Sequence, residues 1–407
     1  MRIHSLFIIT FLSFSSIYAQ SPSDSSAPTP ENQVVSFLQG LNPKQLSDVH
    51  FQLVTVTPAH TVTTAFGHSA LRVYSGKQFD KTDFYIDFGE YDESPGFVWR
   101  FLKGEALFFV KIRTMANAYT FWDTTGRGIY TSEFILDDTQ KMKFANAILK
   151  VMSDKKNGYE YDNFESNCVT FIRDIIGDVY GKALALETDA NKSTWRARLL
   201  PYSQTIFWLR FCEKLLLDHD TDIQRDSNKI IYLPYDLLFA VEDAKITKEK
   251  EMVHPDFLKM PESFDLLGNF VFALFVGIVL SQIPGYLRKR FSNLGTKVFG
   301  FISIVAGAFT LLVLLLTSFP FMNDTIMILV FTPIDYILWK KDKFSDATFK
   351  KYLYLRLGML SLAFLLRISI LPQSIDAALF FTCVYFGLIF YNLRKDSSSN
   401  LQATSSN

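Results

Sequence analysis

The hydrophobic rhythm of the chain changes near residue 266, and that change divides it. Upstream, from Phe51 to Leu136, apolar residues alternate with polar ones or gather in short runs bounded by Gly, Asp and Ser. Five strands are predicted there: Phe51–Val56, Ser69–Tyr74, Phe84–Phe88, Ala106–Ile112 and Ile129–Leu136. Helix-period runs follow at Thr139–Met152, Cys168–Tyr180, Ser203–Leu217 and Pro234–Ala244, with a short earlier one at Val34–Leu41. Strands first and helices later predict an α+β domain with an antiparallel sheet over 34–257. From Leu266 the pattern becomes long apolar runs, at Leu266–Ile283, Val298–Phe319, Met322–Trp339, Tyr352–Leu371 and Ile375–Tyr391. Each is near the ~20 residues a membrane-crossing helix needs, so an all-α bundle of about five transmembrane helices is expected over 264–395. The third run is the weakest, because Pro333 and Asp335 interrupt it.

The two ends set the orientation. Met1–Gln20 reads as a signal peptide, with basic Arg2, apolar Leu6–Phe14 and a small-residue exit at Ala19. A polar, Pro-containing linker is expected over 21–33. Arg288–Arg290 with Lys297, Lys340–Lys351, and Arg394-Lys395 put basic residues after the first, third and fifth runs. The two other loops, Ser318–Thr325 and Pro372–Asp376, carry no Lys or Arg. The basic loops are therefore expected inside, and the domain before the first run outside, where a signal peptide would send it. Residues 396–407 are expected as a polar cytoplasmic tail.

Composition sharpens this. The 41 basic and 41 acidic residues cancel, which argues against a nucleic-acid partner, and 49% hydrophobic residues exclude a disordered chain. Three Cys are too few for a disulfide framework. There is no Gly-rich phosphate loop, no paired-Cys zinc pattern and no internal repeat.

Candidate chemistry gathers in two strings. In Phe66-Gly67-His68-Ser69-Ala70-Leu71-Arg72-Val73, His68 stands at the entry to a strand. In Tyr161-Asp162-Asn163-Phe164-Glu165-Ser166-Asn167-Cys168-Val169-Thr170-Phe171-Ile172-Arg173-Asp174, a polar loop ends at Asn167 and Cys168 opens a helix. A helix N-terminus favours thiolate, and its N–H groups can stabilise an oxyanion. A His brought close would complete a nucleophile–base pair. The residues alone leave two readings open, that pair or a packed Cys and an ordinary strand His.

These strings resemble the Lnb N-terminal periplasmic domain family, a permuted papain-like (NlpC-type) thiol fold in which His precedes Cys. The resemblance continues through Phe84–Gly89, Phe101–Gly104, Gly126-Arg127, Tyr159–Asp174, Ser193-Thr194-Trp195-Arg196 and Tyr232-Leu233-Pro234, and so covers about Phe51–Ile246. Asp222 fits a family aspartate, although Leu217-Asp218 stands where the family has Leu-Gly. The multi-span half is similar to members that are lipoprotein N-acyltransferases of the Bacteroides type. The resemblance implies a multi-pass inner-membrane enzyme with a periplasmic domain and a cytoplasmic C-terminus. It also implies acyl transfer from a phospholipid, through a Cys168 thioester, to the α-amine of a diacylglyceryl-cysteine on an apolipoprotein. His68 would manage the protons, and neither metal nor other cofactor is needed. A periplasmic thiol peptidase or amidase acting on cell-wall peptides is the alternative, and it has no need of five spans. A third reading is a non-enzymatic membrane partner that keeps the thiol fold as scaffold.

Asp87, on a neighbouring strand, would fix the His68 tautomer or be an ordinary strand Asp. Asn167 would serve as an oxyanion donor or as a helix N-cap. Arg72, Arg127 and Arg173 would bind phosphate or make structural ion pairs. His60 is a rival base, and a zinc site on His60, His68 and Cys168 lacks a fourth ligand. His219 reads as a solvated loop residue. Cys212 and Cys383 read as packing residues, with a Cys168–Cys212 disulfide as a rival to a catalytic thiol. Arg367, near the outer end of the fourth run, would pair with Asp376 or hold a donor phosphate. Arg356 is expected to snorkel at the inner end.

Overall fold

The computed structural model describes residues 29–405 apart from 43, 93, 190–191, 205, 258–265, 370, 372 and 374–375. The expected signal peptide and most of the expected linker lie outside the described residues. In chain order the first domain contains α1 (Pro30–Gln39), β1 (Val49–Val56), β2 (His68–Ser75), β3 (Asp83–Tyr91), α2 (Phe97–Lys103), β4 (Leu107–Thr114), α3 (Met115–Thr125) and β5 (Ile129–Glu133). It continues through α4 (Asp138–Asp154), β6 (Tyr159–Glu160), α5 (Cys168–Tyr180), α6 (Trp195–Leu199), α7 (Phe207–Leu216), α8 (Pro234–Asp243) and β7 (Glu251–His254). Helix α1 starts at Pro30, capped by the Thr29 side chain, inside the stretch expected as linker. The short elements α2, α3, α6, β6 and β7 had no counterpart in the sequence pattern.

The strands form one seven-stranded sheet in the order β6-β4-β3-β2-β1-β5-β7, and every pairing is antiparallel. Alternation along the strands gives the sheet two buried faces. Phe51, Leu53, Leu71, Val73, Phe84 and Ile86 pack against α1, α4, α5 and α8 in the larger core. Val54, Val56, Ala70 and Tyr85 face α3 and its Met115, Ala118 and Trp122. Helix α5 is thereby laid across β2 and β3, which brings its first residue to the end of the sheet where β2 begins.

The second region contains α9 (Leu266–Leu280), α10 (Tyr286–Leu316), α11 (Met327–Val330), α12 (Tyr336–Trp339), α13 (Asp346–Ser369) and α14 (Asp376–Ser405). Among the described residues four segments are long and apolar enough to cross a membrane, Tyr286–Leu316, Pro320–Trp339, Asp346–Ser369 and Ala377–Asp396. The expected first span appears as α9, with 15 described residues from Leu266 to Leu280. The expected third span is broken: α11 stops at Val330, Pro333–Asp335 makes a 3-10 turn, and α12 follows. Residues 396–405 continue α14 as helix rather than forming a separate tail.

The break is held by a buried charge cluster. Asp335 and Arg356 are both fully buried and joined at 2.8 Å. Arg356 donates to the carbonyls of Leu329 (2.8 Å) and Val330 (2.7 Å), freed where α11 ends. Asp335 accepts from Tyr352 (2.7 Å) and Ser303 (2.5 Å), while the Thr332 N–H donates to Ser303 Oγ (3.0 Å). The expectation that Arg356 snorkels is therefore corrected. Backbone groups opened inside an apolar bundle need partners, and its guanidinium supplies them.

The two regions meet at the loop after α10. The Ser318 N–H and hydroxyl both donate to the Lys103 carbonyl, at 3.0 and 2.9 Å. Gly104 is needed there, because a Cβ at that position would lie 2.4 Å from Ser318 Oγ. Phe319 and Phe321 complete an apolar cluster with Phe164, Trp195 and Tyr232, and Gln373 donates to the Leu217 carbonyl at 2.6 Å. The basic ends converge elsewhere, where Arg288 pairs with Asp396 and Lys297 lies 3.4 Å from Asp342.

Candidate active site

Asn167 sets the first turn of α5. Its Oδ1 accepts the N–H groups of Val169 (2.8 Å) and Thr170 (3.0 Å), and its own N–H donates to Thr170 Oγ1 (2.9 Å), a complete capping box. Its amide nitrogen is also occupied, donating to the carbonyls of Asn163 (2.8 Å) and Tyr232 (3.3 Å). Asn167 is thus an N-cap whose side chain has no donor left for an oxyanion. Cys168 follows as a half-buried free thiol at the positive end of the helix.

His68 faces that sulfur. Its Nε2 lies 2.9 Å from Asp87 Oδ1, and Cys168 is close enough to act on the imidazole electrostatically. Since Asp87 occupies Nε2, Nδ1 is the nitrogen left for sulfur. Ala70 pairs with Asp87 across the β2–β3 ladder, which sets the carboxylate diagonally from the imidazole. Gly89 makes room for the ring, because a Cβ there would come within 2.9 Å of His68 Cε1. Burial alone would push the imidazole pKa down. The Asp87 carboxylate, then Cys168, outweigh it and raise His68 to about 10. Burial likewise pushes Asp87 up, but His68, the Gly89 N–H and Arg113 prevail and hold it below the usual carboxylate range. The arrangement holds a charged imidazole, a proton donor, beside the free thiol at the helix N-terminus.

Several neighbours were not singled out in the sequence. Arg113 on β4 reaches Asp87 Oδ2 at 3.5 Å and Glu90 at 2.6 Å. The Trp122 ring lies 5.7 Å from the imidazole, with the Arg127 guanidinium 4.8 Å from the same ring. The Tyr159 and Tyr161 phenols are raised by burial first and then by charge on Cys168, which places both near the sulfur. Tyr159 spends its hydroxyl on the Phe88 carbonyl. Only side-chain positions across two strands, a helix and a loop could reveal these residues.

The remaining candidates separate. Arg72 is fully buried and saturated, with Asp83 taking Nε at 2.8 Å and Gln52 taking Nη1 at 2.9 Å. The substrate role expected for it is corrected to a structural one. Arg127 is buried too and donates to the Thr57 carbonyl at 2.6 Å. Burial pushes its pKa down to about 10, and its Nη2 finds no partner among the described residues. Arg173 bonds Asp174 and the Ile231 carbonyl. Asp222 pairs with Arg196 at 3.0 Å, so two sequence blocks meet as an ion pair. His60 lies exposed in the loop before β2. Cys168, Cys212 and Cys383 are all free thiols. Arg367 is half-buried in the last turn of α13, and the Asp376 side chain lies outside the described residues.

Residues 36–200 match the family model described as the Lnb N-terminal periplasmic domain. No curated protein and no solved structure matches the chain.

Proposed function

We propose that this protein, whose residues 36–200 belong to the Lnb N-terminal periplasmic domain family, is a lipoprotein N-acyltransferase of permuted papain-like fold working through Cys168 and His68. The observation that carries the reading is the Cys168–His68–Asp87 line at the N-terminus of α5, in a domain bonded directly to the apolar helices. A thiol hydrolase of soluble cell-wall peptides would have no use for that attachment. Phospholipid and diacylated apolipoprotein are both lipid-anchored, and an enzyme acting on both does.

In this reading the Cys168 thiolate attacks the ester carbonyl of a phospholipid. The Cys168 N–H, which takes no partner among the described residues, donates to the developing oxyanion. As the acyl–oxygen bond breaks, His68 gives its proton to the departing lysophospholipid alcohol and the acyl chain remains as a thioester. The α-amine of the diacylglyceryl-cysteine then attacks. A new C–N bond forms, the C–S bond breaks, and the amine proton returns to His68, restoring the starting pair. Asp87 holds the ring orientation throughout.

The test uses the full-length protein reconstituted with a phospholipid of distinctive acyl mass. Intact-mass analysis is expected to show one acyl group on Cys168, labile to hydroxylamine and lost when a diacylated lipopeptide is added, with the mass reappearing on its amine. An acyl-enzyme that forms but passes only to water, or cleavage of a cell-wall peptide without any phospholipid adduct, would replace this reading with a hydrolase.

A further inference from the structure

Two short helices of the first domain carry large apolar side chains that none of the described residues covers. In α2, Phe97 and Phe101 turn inward, while Val98 and Trp99 are exposed, Trp99 by 48%. In α7, Phe211, Cys212, Leu215 and Leu216 pack on the helical region, while Trp208 is 58% exposed. Trp prefers the boundary between lipid and water.

Continuity with the apolar bundle fixes their level. Both helices pack against α10. Lys103, the last residue of α2, is bonded to Ser318, two residues beyond the end of α10. Leu315, in the final turn of α10, is 74% exposed and is the side chain that lipid would cover. Thr325 donates to the Leu215 carbonyl of α7 at 3.2 Å, from the same inter-segment loop. Arg100 and Lys103 on α2, and Arg210 and Lys214 on α7, complete the mixed apolar and basic pattern of helices lying flat at a membrane surface. From α2 the way to the thiol is short: Phe101 touches Phe319 (6.1 Å between centroids) and Tyr161 (5.8 Å), and Tyr161 neighbours Cys168.

We propose that α2 and α7 lie in the headgroup layer of the leaflet on the first domain's side, seating the approach to Cys168 among phospholipids. The surface itself is independent of the acyltransferase reading; what the lipid does there rests on that reading.

The chain has five Trp, of which Trp122 and Trp195 are buried in the first domain and Trp339 sits at the basic end of the bundle. Full-length protein is reconstituted in phosphatidylcholine vesicles with chains either plain or brominated close to the headgroup, and Trp emission is compared. Bromolipid is expected to quench the wild type, and W99F/W208F to lose about half or more of that quenching. Equal quenching in the two proteins would overturn the proposal, as would protection of these residues only when the lipopeptide is added, which would assign the face to a protein partner. A second arm uses Trp99→Glu. Acylation of Cys168 from vesicle phospholipid is expected to slow about tenfold, with acylation by a water-soluble activated ester unchanged. Equal slowing with both donors would count against the seating. Bromolipid quenching without any acyl-enzyme would strike the proposed function and leave this surface standing. Acyl-enzyme with unchanged quenching would do the reverse.

Discussion

The molecule buries two charge networks, one in each region, and they are built to opposite ends. In the apolar bundle, Asp335 and Arg356 are fully enclosed; the guanidinium is shared among a carboxylate and two carbonyls, and the carboxylate takes Ser303 and Tyr352 as well. In the sheet domain, the line Arg113–Asp87–His68 ends on a half-buried free thiol. A closed network fixes a conformation. A network that ends on a half-buried thiol leaves the same electrostatic order open at one end. Substitution should therefore damage the first through stability and the second chiefly through chemistry.

The largest effect is expected at the open end. Cys168→Ser should leave thermal unfolding of the reconstituted protein unchanged while abolishing the hydroxylamine-labile adduct, since a serine hydroxyl stays protonated where a thiol ionises. Asp87→Asn comes next. It keeps the shape but removes the charge that raises His68, and turnover should fall about 10²–10⁴-fold. His60→Ala, away from this line, should leave turnover intact; a loss equal to that of His68→Ala would mean the wrong imidazole has been assigned.

How far the sequence led differs between the networks. Cys168 at the first turn of α5 was legible because an Asn cap, a polar loop and an apolar helical period meet at one residue. His68 and Asp87 followed from strand positions on paired neighbours. Arg72 lies on the same strand as His68 and reads alike in sequence, yet the hairpin brings Asp83 to its guanidinium and closes it. Trp122 escaped because α3 has no clean apolar period, and its value comes from lying between His68 and Arg127. Arg356 misled for another reason. Depth along an ideal span predicts snorkelling, but Pro333 breaks the facing segment and frees two carbonyls at that depth. Local pattern carried what local structure decides, and long-range pairing decided the rest.

The closed network gives the next expectation. Arg356→Met strands a buried carboxylate and two carbonyls, and should cost about 3–5 kcal/mol, read as a lowered unfolding temperature in detergent. Asp335→Asn should cost less, because Arg356 keeps both carbonyl bonds. The reverse order would mean that the ion pair, rather than the repair of the broken segment, is what matters there.

A smaller effect is expected from pH. The folded pKa of His68 is raised from about 6.5 to about 10, so the stability it contributes is fully present below about pH 6.5 and is lost as pH climbs through about 10. The gap in unfolding temperature between wild type and His68→Gln should be widest on the acid side of that window and close above it. A gap that widened with rising pH would mean the imidazole is neutral in the folded protein.

The smallest effect concerns Asn167 and separates two roles that the sequence left equal. Its Oδ1 caps α5, and its Nδ2 is committed to Asn163 and Tyr232, so it has nothing to offer an acyl oxygen. Asn167→Ala should cost about 1 kcal/mol of stability, and Asn167→Ser should recover most of it, because a hydroxyl also caps. Catalysis should track the cap, with Ser restoring the acylation rate alongside stability. An oxyanion donor behaves differently, since its loss costs about 10²–10³ in rate whatever the helix does. Restored stability with an acylation rate still down by that factor would place the Asn167 amide at the reacting carbonyl and require a different side-chain orientation in the acylating state.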